Sequence, residues 1–382
     1  MRTSLALLLL VVIAHAEDPP AEQQARLAPT KWKFKNVRFN FPLADGAKAV
    51  EKPPVRKGRV EKLYCYFFDL DGNGKFGEIG KDAWALGGMN YILPMEATAV
   101  LELHRVKWEV APDGKQVRYT TTPIPIAKEE AKVFRQFNYW RLINGLCPVD
   151  IDPELSTACN ELCTWMEANG MKHRAEQGDP PMSSRAATAG MRSMLSQESP
   201  AMSVLMLYSS FYHRLPLFNP GTRAIGIGKS ARFTAVDGLS RNEARPWNYP
   251  IMVPAPSTAL QPTNFPPESP RPYPSSVKQP GMPITLTFDG MGTVTEAKGT
   301  LRRRVRRKKT IEIPVLVSSP SQPANKKRPD NRKSICLIPR KPLAPKALYE
   351  VWVAYKLDGE QKQHRWIFST GHARPVWHYA GR

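Results

Sequence analysis

Phe211-Tyr212-His213-Arg214-Leu215-Pro216-Leu217-Phe218-Asn219-Pro220, continuing to Arg223-Ala224-Ile225-Gly226-Ile227-Gly228, is the stretch from which the rest of the chain is read. A helical apolar pattern stops at the histidine and arginine, a proline-bounded turn follows, and an Ile-Gly alternation begins a buried strand. The stretch predicts a region that mixes helices with strands. Working upstream, Ser199-Pro200 opens the helix that ends at Tyr212-His213-Arg214, with Ala201, Val204, Leu205, Tyr208 and Phe211 as its stripe. Ser183 to Leu195 is predicted as a weaker, Ala- and Met-rich helix. The clearest helix has Asp152 as N-cap, Pro153 at its first position, a stripe of Leu155, Cys159, Leu162 and Met166, and a stop at Asn169-Gly170. Before it, Val133, Phe137 and Trp140 recur at helical spacing up to Asn144-Gly145. Downstream, Ala224 to Gly228 and Ala231 to Val236 are expected to pair as a hairpin beneath these helices.

Outside this region the chain changes character twice. Residues 1–16 combine a basic start, an apolar run from Leu5 to Ile13 and Ala14-His15-Ala16, which is the pattern of a cleaved export signal. Residues 17–57 read as a tether that can add one edge strand, with one short apolar alternation at 32–39. Residues 58–127 form a small β module: Leu63 to Phe68 is a strand, and Ala99 to Val110 pairs with Lys115 to Thr122 as a hairpin. Residues 128–244 hold the helical region, and the Pro-rich segment 245–281 is a wrapping segment or a stiff spacer. Residues 282–371 return to short strands spaced as in a β-sandwich, and 372–382 form a tail. The fold class is therefore α+β and multidomain, and 37 prolines exclude one continuous helical or doubly wound unit.

Inside the small module lies Asp69-Leu70-Asp71-Gly72-Asn73-Gly74-Lys75. Oxygen donors at loop positions one, three and five, with glycine at six, suit a hard cation that takes six to eight oxygens. The loop resembles those of EF-hand and dockerin-like modules, which implies calcium held by Asp69, Asp71, Asn73 and the Lys75 carbonyl. Gly80 stands where those loops place a bidentate acid, so Asp82 or Glu78 would have to substitute, with the backbone leaving the loop as a strand or loop in place of a helix. The competing reading is a plain Asx/Gly turn.

Lys and Arg number 55 against 34 Asp and Glu, a formal net charge of +21. In an exported protein that excess points to anionic polymers of a cell envelope, or to lipid headgroups, ahead of nucleic acid, which is not expected as a partner. Arg302-Arg303-Arg304-Val305-Arg306-Arg307-Lys308-Lys309 concentrates it, and Arg302, Arg303, Arg304, Arg306 and Arg307 are candidate polyanion ligands. A solvated strand or hairpin tip explains the same run. Five cysteines are too few to frame the fold; only Cys147 with Cys159 or Cys163 is considered for pairing. No Gly-rich phosphate loop, paired CxxC or Gly-x-Ser-x-Gly elbow is present.

Phe134 to Gly228 resembles the CAP superfamily of cysteine-rich secretory, antigen 5 and pathogenesis-related proteins, in its bacterial SCP-like branch. Phe137 to Val149 is similar to the family's first helix and its exit, Asp152 to His173 to the second helix and first cavity histidine, and Tyr212-His213-Arg214 to the second histidine. The strands after 282 resemble bacterial Ig-like adhesin modules. The resemblance implies a central α/β/α sandwich with a groove lined by His173, His213, Arg214 and Tyr212, where histidines and glutamates can hold zinc or a similar ion. The family's acids have no counterpart near Ala187 to Met191, and only Glu176 and Glu198 stand near in sequence. Two functions follow as expectations: a binding or structural protein facing an envelope or extracellular ligand, or a metal-assisted hydrolase using His173 and His213.

Overall fold

The computed structural model describes residues 23–25, 27–30, 41, 43–44, 48–87, 89, 91–243, 250–288, 291–306, 309–327 and 331–372. The export-signal pattern, the alternation at 32–39, Arg307 and the tail beyond His372 lie outside them. No helix among the described residues is long and apolar enough to cross a membrane.

The first unit is all β: β1 Gln23–Ala25, β2 Ala28–Pro29, β3 Val55–Val60, β4 Leu63–Phe68, β5 Ala83–Leu86, β6 Leu93–Pro94, β7 Thr98–Leu101, β8 His104–Val110 and β9 Val117–Pro123. They form one sheet ordered β2-β3-β4-β5-β6 and a second ordered β1-β9-β8-β7. Buried aromatic residues join the two, with Trp108 lying 5.8 Å from Phe67, 5.9 Å from Trp84 and 6.3 Å from Tyr119, centroid to centroid. The segment expected to be a tether contributes β1 and β2 as edge strands and buries Phe41 and Leu43. The long first arm of the expected hairpin is two strands, because Glu102 takes the left-handed conformation (φ 53°) and turns the chain.

The middle unit contains α1 Lys128–Ile143, β10 Asp150–Ile151, α2 Pro153–Asn169, α3 Ser184–Arg192, β11 Ser193–Ser196, α4 Pro200–Ser209, α5 Arg214–Leu217, β12 Thr222–Lys229 and β13 Thr234–Asn242. Its sheet runs β10-β12-β13-β11. The Ile-Gly alternation explains the layering. Ile225 and Ile227 pack with Val133, Phe137, Trp140, Val204 and Tyr208 of α1 and α4 on one face. Gly226 and Gly228 face the other way and let α2 press onto the strand: a Cβ on Gly228 would lie 2.2 Å from the Cys159 carbonyl carbon. Leu195, Phe233 and Ala235 join α2 and α3 there, so the unit is a three-layer α/β/α sandwich.

Helix α2 keeps its sequence-derived limits because both ends are marked chemically. Asp152 accepts hydrogen bonds from the N–H groups of Glu154 (2.9 Å) and Leu155 (3.0 Å), and Pro153 occupies the first turn. Asp152→Ala is expected to lower stability by about 1 kcal/mol, measured as a shift of the urea midpoint at unchanged slope. Two helix limits differ from expectation. Residues 193–196 leave the helix and pair with β13, sending Met194 to one core face and Leu195 to the other. Helix α4 stops at Ser209, since Ser210 is extended, so His213 precedes a separate short helix instead of closing a long one. All five cysteines are free: Cys159 and Cys163 are buried between α2 and α3, while Cys147 packs beside the first unit, so the considered pairing does not form.

The last unit comprises β14 Ile251–Val253, β15 Ile284–Thr287, β16 Val294–Arg306, β17 Lys309–Ile313, β18 Val315–Ser318, β19 Ser334–Pro339, β20 Leu348–Leu357 and β21 Glu360–Ser369. Two four-stranded sheets, β14-β15-β19-β18 and β17-β16-β20-β21, sandwich Ile284, Leu286, Leu337, Leu301, Val351, Val353 and Phe368. The Pro-rich segment is no free spacer over its described residues. It supplies β14 and packs Phe265, Tyr273 and Val277 against Phe211, Tyr212 and Leu215.

Candidate functional site

The junction between α4 and α5 gathers the residues with which the sequence reading began. Phe211 and His213 would leave backbone N–H groups open at the start of a four-residue helix. A carboxylate from the Pro-rich segment fills that place. Glu268, whose side chain has no solvent exposure, accepts from Phe211 N (2.9 Å) and His213 N (2.9 Å) and pairs with His213 Nδ1 at 2.7 Å. The imidazole is thereby oriented through Nδ1, leaving Nε2 for any other contact.

Arg214 is fully buried. Its Nε donates to Tyr208 O (2.6 Å), closing the last turn of α4, and its Nη1 donates to Pro283 O (2.7 Å) and Thr285 Oγ1 (3.3 Å) of the last unit. Burial lowers the guanidinium pKa to about 10, so it stays charged at neutral pH. Gln261 adds a buried bond from Tyr208 Oη at 2.5 Å. Tyr212 is 7% exposed and packs with Phe265 and Tyr273. The helix end is thus occupied by the chain's own C-terminal half. Arg141, on α1, is its counterpart at the other end of α5, donating to Leu217 O (2.6 Å), Asn219 O (3.0 Å) and Cys147 O (2.8 Å).

His173 is exposed and sits after α2, where its Nδ1 lies 2.7 Å from Gly190 O of α3. It belongs to the α2–α3 layer and His213 to the opposite layer, and no hydrogen bond or ion pair joins them. Neither falls in a set of three or more converging His, Cys, Asp or Glu donors among the described residues. The arrangement therefore does not offer zinc the donor set it requires. Glu268 is the functional neighbour that sequence reasoning missed. Its signal was present, since it is the single acid between residues 245 and 281, but nothing local indicated which helix end it would reach.

The converging set that does exist is Asp69, Asp71 and Asp82, whose carboxylate oxygens lie within 4.8 Å of one another. Asp69 and Asp82 are far apart in the loop count yet adjacent in space, because β4 pairs with β5 in a register that sets Phe68 opposite Ala83. The chain leaves the loop as a strand, which brings Asp82 beside Asp69. Asp69 accepts from Gly72 N (2.7 Å), Asn73 N (3.1 Å) and Gly74 N (2.8 Å); Asp82 accepts from Leu70 N (3.2 Å), Gly77 N (2.8 Å) and Glu78 N (2.9 Å). Asn73 bridges Asp71 Oδ2 (3.0 Å) and Glu78 Oε2 (2.5 Å), and accepts from Lys75 N (2.8 Å). Burial pushes the Asp69 carboxyl up and the Asp82 carboxyl up to about 7, against the pull of those N–H groups.

The basic run is not one patch. Arg302 and Arg304 point outward from β16, Arg302 3.8 Å from Glu312 and Arg304 3.0 Å from Glu350. Arg303 sits on the alternate rung opposite Ile311 and Tyr349. Arg306 pairs with Lys309 at the strand end.

Comparison with known proteins gives this geometry its context. Residues 134–232 match the CAP family, the cysteine-rich secretory proteins. The matched segment contains α2, His173 and His213, and its boundaries fall inside the middle unit. Similar solved structures include an extracellular protein containing an SCP domain from Bacillus anthracis, at 13% identity and a TM-score of 0.24, covering 53% of this chain and 89% of that one. Another is a cysteine-rich secretory protein from Staphylococcus aureus, at 10% identity and a TM-score of 0.21, covering 53% and 88%. No curated protein matches the chain.

Proposed function

We propose that this is an exported, non-catalytic CAP-domain protein that binds an envelope or extracellular ligand. In it the CAP segment is held between a calcium-stabilised β unit and a C-terminal β-sandwich. The observation that carries the reading is the occupation of the α4–α5 junction by Glu268. His213, one of the two histidines a hydrolase would use, is paired with Glu268 through Nδ1, and the neighbouring Arg214 bonds Pro283 and Thr285 of the last unit. Calcium is supported by the converging Asp69, Asp71 and Asp82 oxygens, an all-oxygen set suited to a hard cation. Two of those carboxyls are buried, and a bound cation would favour their ionised forms against that burial. An anionic polymer is the favoured ligand class, because the net charge is +21.

A metal-assisted hydrolase is the second reading, and one feature favours it: Glu268 orients the His213 imidazole as a carboxylate orients a general base. Metal analysis of the purified mature protein, before and after chelation, separates the two. Stoichiometric calcium that is lost in Asp71→Ala, without zinc, is the expected result. Stoichiometric zinc that disappears in His173→Ala would replace this reading with the hydrolase.

A further inference from the structure

Building on the proposal of an anionic envelope polymer as ligand, we infer that the outer face of the β17-β16-β20-β21 sheet is a platform for an anionic polysaccharide, centred on Trp352. The inner face of this sheet is spent on the core through Leu301, Val351, Val353, Trp366 and Phe368. The alternate residues face away from it. Register sets Thr300, Trp352 and Arg365 on one rung and Arg302, Glu350 and Ile367 on the next. Lys298 and Gln363 flank Ala354 on a third. Trp352 is only partly buried, on a face that it shares with Ala354, Ile367 and mostly polar and charged side chains, and its Nε1 donates to Gln363 Oε1 at 3.3 Å, which fixes the indole plane. An indole held in a flat polar face presents its ring for stacking against the C–H face of a sugar.

The charge of the face selects the kind of sugar. Glu350 is 7% exposed and serves two guanidiniums, Arg304 at 3.0 Å and Arg365 at 2.6 Å, whose hydrogen bonds hold its carboxyl below the usual range. One acid under two arginines leaves a net positive charge. The outer arms of these arginines remain in solvent, since their side chains are 44% and 68% exposed. Arg302 meets Glu312 only at 3.8 Å, with both side chains exposed, a contact that an incoming anion displaces at little cost. Lys298 adds a further exposed cation. Four strands give the face a width of about 14 Å, so successive acid groups of one chain reach Arg365 on one side of Trp352 and Arg302 on the other. Paired oxygens of a planar carboxylate or of a tetrahedral sulfate group suit the guanidinium fork. A lipid surface would call for apolar anchors projecting beyond the charges, and the only outward apolar side chain on the Arg302 rung, Ile367, is partly buried.

The test is titration calorimetry on the full mature protein with a heparin-derived octasaccharide, an oligogalacturonate of equal length, an oligonucleotide and phosphatidylglycerol vesicles. One or both oligosaccharides bind, and which of them does so identifies the anion. Trp352→Ala weakens that binding about tenfold with its salt dependence unchanged, while Trp352→Tyr restores most of it. Arg302→Gln with Arg365→Gln weakens binding and flattens the salt dependence. Circular dichroism melting shows that the variants fold. Oligosaccharide affinity that is indifferent to Trp352→Ala overturns the inference, as does tighter binding of oligonucleotide or vesicles than of either sugar. The binding-protein reading itself fails elsewhere, on zinc content, so the two failures are told apart.

Discussion

Glu268→Ala is expected to destabilise the contact between the middle unit and the last unit by about 3 kcal/mol. The variant leaves the Phe211 and His213 N–H groups and His213 Nδ1 without the carboxylate that now serves all three. The Glu268 side chain has no solvent exposure, and Phe211, Tyr212, Phe265 and Tyr273 cluster at the junction, so these groups lose a buried partner. Glu268→Gln keeps one acceptor oxygen and loses the charge, so its expected cost is about 1 kcal/mol. Urea unfolding followed by intrinsic fluorescence measures both. Limited proteolysis of Glu268→Ala is expected to cut within the segment around Glu268 before the wild type is cut there. A loss below 0.5 kcal/mol for Glu268→Ala would remove the carboxylate from the account.

Calcium at about 10 mM is expected to stabilise the first β unit by about 2 kcal/mol, the gain for a site in the weak extracellular affinity range. Chelation reverses it. Asp71→Ala should abolish the gain while barely changing metal-free stability, because Asp71 is partly exposed and accepts from one neighbouring residue, Asn73, through N and Nδ2. Asp82→Ala should abolish the gain and also lower metal-free stability, since Asp82 accepts three backbone N–H groups. Differential melting with and without calcium checks all three proteins. Equal responses of wild type and Asp71→Ala would show that the loop is an Asx/Gly turn without a cation.

The parts of the fold that were legible in the sequence are those in which one residue type answers a local geometric demand. Asp152 and Pro153 could only begin a helix, Gly170 ends it in the left-handed region (φ 80°), and Ile225 to Gly228 announced a strand with one bulky and one bare face. Residues 193–196 were misassigned because Met194 and Leu195 suit either period, and only the partner strand β13 decides between them. The loop at 69–82 was readable as far as its first five positions. That Asp82 lies beside Asp69 depended on the β4–β5 register, which sets Phe68 opposite Ala83. His213 and Arg214 drew attention as polar residues at the end of one long helix; they open a separate short one, and what they meet comes from beyond residue 250: Glu268, Pro283 and Thr285. Long-range partners of this kind leave no local pattern.

The account rests on the α4–α5 junction being closed by the C-terminal half, and amide hydrogen exchange at Phe211 and His213 tests this most directly. In the wild type both amides are expected to exchange only through unfolding that detaches the last unit, slowly and together, and in Glu268→Ala both should accelerate together while the α2 amides of Cys159 and Cys163 stay protected. Exchange of Phe211 and His213 within seconds in the wild type would contradict the account, because it would place that helix end open to solvent.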